Sequence, residues 1–458
     1  MFQFGSAQKA ILTAALASAT LWTSCGYGSG TMYTPPPSGT SAALINVTDS
    51  PSDRVLSFAL TIDSITLVAS DGSSVVVSNA PRRVEVTHTS GSAEPLAVTV
   101  IPQGTFTAAR VAVSSPDVSF ISLLGDAVQK SNVGGATTVN IPFAQPLVVG
   151  ATPMVLTLDF DAAGSITIDT ATNGVTVNPV ATIRTAQVPG SGGEAGEDTD
   201  DGGFEHFVGQ VTTVSGSNFT AKSLDTTVTF ATDANTEFNV VAGVQGLANM
   251  VVRVEATTRP DGTPLAKEVE VLSAAGGEVE GLINTTAGSP EVASFSIVVQ
   301  DGAGTSVSNT LLGGFITATI NPDTTQFRVD NGNIELGGLN LPAFNRAFLS
   351  KGQRVEIDAV EGSAGSNITA DSVKLVPQAL TGSITNASNT GFSLTVANDS
   401  AFRLLSGIGT LHVVTQQNTE FKNGATITNG ATVRVRGLVF FNEIDRSFTV
   451  VAGQISTP

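Results

Sequence analysis

The sequence predicts an all-β protein in which a β-sandwich precedes three repeated barrel-like units. Short runs of Val, Ile, Thr and Phe alternate with clusters of Gly, Asn, Asp and Ser, which is typical of many short strands joined by tight turns. Only 13% of the 458 residues are charged and 47 are glycine, which is unusual for a helical protein. After residue 205 the same short motifs recur three times.

Residues 1–25 are interpreted as a signal peptide. One cation, Lys9, precedes roughly a dozen small apolar residues, a run too short to span a bilayer but suited to a secretory h-region. Cys25 is the only cysteine, and its place after Thr23-Ser24 resembles the lipobox of bacterial lipoproteins. That resemblance implies lipid attachment at Cys25 and an outer-membrane lipoprotein of the bacterial cell envelope. Cleavage after Ala19 is the alternative and would give a secreted protein.

Residues 26–40 form a Gly/Pro-rich tether, and residues 41–186 read as the sandwich domain. Apolar alternation in the second strand slips at Asp63-Ser64, which predicts a β-bulge because a one-residue slip exposes the wrong face. Asp71-Gly72 then predicts a hairpin turn. At least seven strands at this spacing are expected.

Three motifs in this domain carry a family resemblance: Thr48-Asp49-Ser50-Pro51, Pro102-Gln103-Gly104-Thr105-Phe106 and Leu158-Asp159-Phe160-Asp161. Their order and spacing resemble the envelope-lipoprotein family catalogued as domain of unknown function 4382. The resemblance implies an immunoglobulin-like or transthyretin-like β-sandwich on a surface lipoprotein, and it implies no chemistry.

Asp159 and Asp161 point to the same side of one strand and are the candidate ligands for a calcium ion. The preferred interpretation is that these carboxylates cap the turn before Gly164, so no metal is predicted. Arg110 lies in an apolar strand, where we expect it to pair with Asp49 or Asp159.

Residues 187–204 read as an acidic, glycine-rich linker. Their like charges repel and extend the chain, so the sequence predicts two halves that are held apart and fold independently.

Three units follow the linker, at residues 205–274, 275–377 and 378–458, the second with inserted loops. Each contains a strand that is apolar at alternate positions, and three residues before its first Val stands a residue that accepts a left-handed backbone. These strands are Val252-Arg253-Val254, Val355-Glu356-Ile357 and Val433-Arg434-Val435, and the preceding residues are Asn249, Gly352 and Gly430.

The repeated motifs resemble the small β-barrel family catalogued as domain of unknown function 5666, which is related in shape to OB-folds. The resemblance implies three OB-like barrels. Residues 342–349 carry Phe344 and Phe348 at helical spacing, which predicts the short helix that an OB barrel places before its fourth strand.

The composition argues against several classes of function. A formal net charge of −18 disfavours nucleic acid, whose binding needs clustered Lys and Arg. The only Trp and Tyr residues lie in the signal peptide or tether. The folded part therefore carries phenylalanine as its only aromatic residue, and the whole chain has 23 Phe. His88, His206 and His412 are scattered without an obvious partner, so we predict no catalytic residues, no enzyme and no cofactor.

We therefore expect a non-catalytic cell-envelope lipoprotein that serves as a surface-tethered binding or structural module. Its partners would be the membrane, through the lipid anchor, and an envelope polysaccharide or protein. The alternative is a carbohydrate-binding or adhesive accessory protein of a polysaccharide system. The sequence identifies no ligand-binding residues.

Overall fold

A computed structural model describes residues 39–457, apart from 51, 90–92, 126, 188–203, 224–226, 260–261, 274–276, 304–311, 333, 361 and 364. The signal peptide with Cys25, nearly all of the tether, and the linker from 188 to 203 lie outside the described residues. Residues 34–458 group as one compact unit. The described part is nearly all β, as the sequence predicts.

The first domain is built from twelve strands and one short helix, because runs of apolar residues at alternate positions are divided by turn residues. In chain order these are β1 (Thr40–Ser50), β2 (Val55–Ala69), β3 (Ser74–Ser78), β4 (Arg82–Glu85), β5 (Glu94–Pro102), β6 (Gly104–Ile121), β7 (Val128–Asn132), β8 (Ala136–Val149), β9 (Met154–Asp161), α1 (Ala162–Ser165), β10 (Ile166–Ile168), β11 (Val175–Val177) and β12 (Ala181–Gln187). A 3₁₀ turn covers Thr87–Thr89.

Two sheets face each other across one apolar core, which makes the domain a β-sandwich. One sheet has the order β12-β9-β1-β5, and the other has β3-β2-β6-β7 with β4 added to β2 and β8 added to β6. Side chains from both sheets fill the core, among them Ile45, Phe58, Phe120 and Phe160. The β2 register shifts between Ile62 and Ser64, which confirms the predicted bulge.

The second half contains three barrels of one design. Their strands are β13 (Phe204–Ser215), β14 (Asn218–Lys222), β15 (Thr227–Ala231), β16 (Glu237–Asn239), β17 (Val251–Thr258) and β18 (Pro264–Ser273) in the first; β19 (Glu278–Ala287), β20 (Ser294–Ala303), β21 (Phe315–Ile320), β22 (Gln326–Val329), β23 (Arg354–Ala359) and β24 (Asn367–Leu375) in the second; and β25 (Gln378–Ser388), β26 (Gly391–Val396), β27 (Thr410–Val414), β28 (Glu420–Lys422), β29 (Thr432–Asn442) and β30 (Ser447–Ser456) in the third.

Each barrel closes in the same way. Five strands close the barrel, and the short strands β16, β22 and β28, which add to its edge, are not counted among the five. The first strand pairs with the second and the fourth, the fifth pairs with the fourth, and the third and fifth strands meet in parallel, as in β15–β18, β21–β24 and β27–β30. This is the strand order of an OB barrel. The shared turn before each fourth strand is also confirmed, since φ is 63° at Asn249, 89° at Gly352 and 86° at Gly430.

The predicted helix over residues 342–349 is wrong. This segment is irregular, and Phe344 packs between two apolar clusters of the second barrel and its neighbour. Tertiary packing of the ring therefore replaces helical spacing. A 3₁₀ turn, Val244–Leu247, precedes the fourth strand of the first barrel, and the third barrel has α2 (Ala401–Ser406) between its second and third strands.

The two halves are not held apart, so that expectation is also wrong. Leu44 and Val155, on the outer face of the four-stranded sheet, lie in the apolar cluster of the first barrel. Leu56 and Ile121 of the sandwich pack with Val298 of the second barrel and Leu405 of the third. Burial of these side chains, at about 1.5–3 kcal/mol each, stabilises the packing of the two halves against each other.

Polar contacts reinforce the docking of the second barrel on the sandwich. Ser119 Oγ donates to the Gly313 carbonyl at 2.5 Å, Lys130 Nζ to the Leu312 carbonyl at 2.6 Å, and Gln300 Nε2 to the Leu56 carbonyl at 2.8 Å. None of the helices within the described ranges is both long and apolar enough to cross a bilayer.

Candidate functional site

A groove of about 550 Å³ opens between the sandwich and the third barrel. It exists only because these domains pack together, and ten of its eleven lining residues are polar or charged. The sandwich contributes the turn after β1, the end of β9 with α1, and the start of β12, and the third barrel contributes β25, β29 and the start of α2. The lining residues are Ser52, Asp53, Arg54, Asp159, Asp161, Ala163, Thr182, Thr381, Asp399, Ser400 and Arg434.

The groove contains both carboxylates that the sequence singled out. Asp161 Oδ1 accepts a hydrogen bond from the Gly164 amide at 2.8 Å, as the cap of the turn that was expected. Asp159 Oδ2 lies 3.0 Å from Arg184 Nη2 on the neighbouring strand β12. Arg110 instead lies exposed on β6, in the opposite sheet from both Asp49 and Asp159, so the predicted pairing of Arg110 with Asp49 or Asp159 is wrong. Among the described residues, the side chains that converge as possible metal ligands lie elsewhere.

Asp53 and Arg434 both line the groove and attract each other electrostatically. Burial raises the pKa of the Asp53 carboxyl, against the opposing influence of Arg434 and Thr381. Burial likewise lowers the pKa of the Arg434 guanidinium, which Asp53 and Asp49 counteract. The Asp53 carbonyl accepts a hydrogen bond of 2.6 Å from the Ala401 amide, so the backbone of the sandwich is joined directly to that of the third barrel.

The chemistry that this groove offers is hydrogen bonding without aromatic stacking. Carboxylates accept, guanidinium groups donate, and hydroxyl groups do both. No aromatic side chain is among the lining residues. Its volume lies within the range of about 300–1,000 Å³ typical of ligand sites, which often form at domain interfaces.

A second feature, which the sequence did not predict, is a set of buried charges where the first and second barrels meet. Arg253 pairs with Glu356, and at 2.8 Å with Glu270. Lys374 Nζ lies 2.6 Å from Glu356 Oε1. Although burial acts against ionisation, Arg253 and Lys374 lower the pKa of Glu356 to about 2. This carboxylate is therefore ionised at neutral pH and joins the two barrels.

Two further carboxyl groups border Glu356, and for them the influence of Arg253 and Lys374 does not outweigh burial. Burial, reinforced by the Glu356 charge, raises the pKa of Asp358 to about 6 and that of Glu278 well above its usual value. Glu278 Oε2 and Asp358 Oδ1 are buried without a hydrogen-bond partner. Only the fold brings these groups together, since Glu278 lies on β19 and the other two on β23.

The expectation that His88 lacks a partner is wrong. Its Nδ1 lies 2.9 Å from Glu85 Oε2 and its Nε2 lies 2.5 Å from Glu94 Oε1. One atom each from His88, Glu94 and Asp301 lie within 4.8 Å of one another. Glu85 and Glu94 are three and six residues from His88, a local signal that sequence reasoning could have used, whereas Asp301 comes from the second barrel. His412 is exposed on β27, and the His206 side chain lies outside the described residues.

The fold and these sites define the chain as a sandwich-and-barrel protein with a polar groove between domains. Residues 40–179 match the family described as Domain of unknown function (DUF4382), and residues 208–270 match the one described as Domain of unknown function (DUF5666). Both family resemblances are thereby confirmed, the second for the first barrel. The three barrels share its topology.

No curated protein matches this chain. Among solved structures, it is similar to a multidomain protein with nucleic acid binding domains from Streptococcus pneumoniae TIGR4, with 11% identity, a TM-score of 0.13 and coverage of 54% of this chain and 72% of the other. It is also similar to Drosophila Unr CSD456, with 10% identity, a TM-score of 0.12 and coverage of 55% and 97%. At these scores the likeness carries no argument about ligands.

Proposed function

We propose that the protein is a non-catalytic lipoprotein of the bacterial cell envelope that binds a polar ligand in the groove between the sandwich and the third barrel. The observation that carries this proposal is the groove itself, a cavity of about 550 Å³ formed by residues from two packed domains. A tether from Cys25 would hold the groove at the membrane surface.

The lining favours an uncharged or zwitterionic ligand rich in hydroxyl or amide groups. Four of the lining side chains are aspartates and two are arginines, so both donors and acceptors are available to one ligand. Nucleic acid is disfavoured because the net charge of the chain is −18 and phosphate recognition requires an excess of cations.

The alternative, a carbohydrate-binding or adhesive role in a polysaccharide system, is supported by the same hydroxyl, carboxylate and guanidinium groups. The absence of aromatic residues from the lining weakens it, because sugar platforms generally use Trp or Tyr. An envelope protein that presents a polar loop would use the same groups.

Binding can be tested with a glycan array and with an extract of the native envelope, each probed with wild-type protein and with Thr182→Trp. Thr182 is exposed on β12 within the groove, so an indole there fills the site without disturbing the core. Thr176→Trp is the matched control, because Thr176 is exposed on β11 outside that lining.

We expect the Thr182 variant to lose at least about tenfold in affinity, equivalent to 1.4 kcal/mol, while the control binds like wild type. Glycan recognition would favour the polysaccharide role, and retention of a protein alone would favour a protein partner. A ligand that binds both variants equally would contradict the assignment of the groove.

Anchoring is tested separately by the fate of Trp22, the only tryptophan. Processing before Cys25 removes Trp22, so protein from native membranes should lack tryptophan fluorescence and carry an acylated Cys25. A mature N-terminus at Thr20, with tryptophan emission and release into the soluble fraction, would overturn anchoring and leave a secreted binding protein.

A further inference from the structure

We infer that His88, Glu94 and Asp301 bind a divalent transition-metal ion, with zinc as the best match, that joins the sandwich to the second barrel. The ligand set is one imidazole nitrogen and two carboxylate oxygens, which lie within 4.8 Å of one another. This inference is independent of the groove and of the proposed function.

The protonation pattern of His88 is fixed by Glu85. The Glu85 carboxylate accepts hydrogen bonds from the Phe58 amide at 2.7 Å, the Thr87 hydroxyl at 2.7 Å, and both the amide and Nδ1 of His88 at 3.0 and 2.9 Å. With four donors directed at it, this carboxylate holds the proton on Nδ1. The Nε2 atom then faces Glu94 and Asp301. A carboxylate on the far ring nitrogen is the usual outer partner of a metal-binding histidine.

Two carboxylates, those of Glu94 and Asp301, converge on Nε2, and this arrangement favours a bound positive charge. A single proton on Nε2 satisfies the contact with Glu94, and Asp301 brings a second carboxylate to the same point. Three guanidinium groups, those of Arg253, Arg354 and Arg436, also line this cavity. Arg253 pairs with Glu356 and Glu270, and Arg354 pairs with Glu280 and donates to the His88 carbonyl at 3.2 Å. A divalent ion compensates all three ligands at once.

There is room for the ion. A cavity of about 40 Å³ is lined by His88, Glu94, Glu280 and Asp301, among other residues, and about 10–15 Å³ suffices for one water. Zinc holds nitrogen and oxygen ligands at about 2.0–2.2 Å in a tetrahedron, which sets ligand atoms roughly 3.4 Å apart. Glu94 would therefore retreat from Nε2 by about 1 Å, and its side chain, 27% exposed, is free to do so. A water in the cavity completes the tetrahedron.

The ligand chemistry selects the class of ion. Calcium and magnesium prefer all-oxygen sites, whereas an imidazole with two carboxylates suits zinc and similar ions. The other buried carboxylate group, Glu278 with Glu356 and Asp358, lacks a nitrogen ligand. Its central carboxylate is already neutralised by Arg253 and Lys374, so we assign no metal there.

The test is calorimetric titration of zinc into the metal-free full chain carrying Cys25→Ser, which prevents binding by the thiol. We expect one equivalent to bind. Asp301→Asn and Glu94→Gln keep the shape of the ligands but remove their charge, and each should weaken binding by more than about 100-fold, since even outer partners contribute 10–100-fold. Glu85→Gln should weaken it by about 10–100-fold.

Two matched controls come from the same chain. His412→Ala removes an exposed histidine and Glu237→Gln an exposed carboxylate, and neither should change the affinity. Thermal unfolding confirms that each variant is folded, and zinc should raise the midpoint of wild type but not of Asp301→Asn. Three outcomes would each overturn the inference: no binding, binding that survives both Asp301→Asn and Glu94→Gln, or loss of binding in His412→Ala.

Discussion

Replacing Asp358 by Asn should stabilise the protein at neutral pH. Asp358 is 7% exposed and faces the charge of Glu356, while its Oδ1 lacks a hydrogen-bond partner. Its other oxygen accepts from Ser372 Oγ. An asparagine keeps that acceptor, removes the buried charge, and turns an amide donor toward the neighbouring carboxylates of Glu278 and Glu356.

The magnitude follows from the pKa of Asp358, which is about 6 in the folded chain against an ordinary value of 3.8. The difference corresponds to about 3 kcal/mol at 1.36 kcal/mol per pKa unit. Because the folded pKa is the higher one, the folded state binds more protons between pH 4 and 6, and stability falls as the pH rises through this window. The advantage of Asn should therefore be near zero at pH 4 and reach about 3 kcal/mol, as an upper value, above pH 6.

Hydrogen–deuterium exchange of the β23 and β24 amides is the assay, because it reports local opening in a chain of several domains. At pH 7 these amides should exchange up to roughly 100-fold more slowly in Asp358→Asn than in wild type, after correction for intrinsic rates. Asp371→Asn is the control, since Asp371 is exposed on the neighbouring strand β24, and should change stability by less than about 0.5 kcal/mol. Equal exchange in Asp358→Asn and wild type at pH 7, or an advantage of the same size at pH 4, would refute the reasoning.

Three further predictions concern packing and turns. Gly281→Ala should destabilise the second barrel by about 1–3 kcal/mol in thermal unfolding, because a Cβ there collides with the Val298 carbonyl. Gly337→Ala, which has open space around it, is the control and should be nearly neutral. Similar unfolding midpoints for the two variants would argue against close packing at Gly281. Gly430→Val should cost on the order of 1–3 kcal/mol because φ is 86° there, and an unchanged midpoint would contradict a strained turn. Limited proteolysis between Pro189 and Gly203 should give two fragments that co-elute on gel filtration. We expect this because Leu56 and Ile121 are buried against Val298 and Leu405. Fragments that separate would show that this interface is too weak to hold them together.

Much of the fold could be predicted because strands and turns are written in short-range patterns. The slip of alternation at Asp63-Ser64 specified a bulge, and Asn249, Gly352 and Gly430 specified a common turn. Residues 342–349 mark the limit of such reasoning. Helical spacing of Phe344 and Phe348 was a local pattern, but the Phe344 ring instead packs against Phe327 of β22, and that contact decided the local backbone.

The candidate sites were less accessible. Asp159 and Asp161 were found because they alternate along one strand, yet Arg434, which faces the same groove, comes from the third barrel more than 250 residues later. The contact of His88 with Asp301 could not be predicted because the two are distant in the sequence, although Glu85 and Glu94 are nearby. Which long-range polar groups meet depends on how whole domains are oriented, and no local periodicity encodes that.

By itself, the sequence determined the β-rich class, the division into a sandwich and three similar units, and the two families that the first domain and first barrel match. Only the tertiary structure decided that the barrels dock on the sandwich. The apolar run Ala42-Ala43-Leu44-Ile45 was the available signal, since a strand buried on both faces is apolar at successive positions. Such a run shows that another part of the protein covers the second face of the sheet. That part is the first barrel. It is selected by the shape and charge of surfaces that form only after each domain has folded.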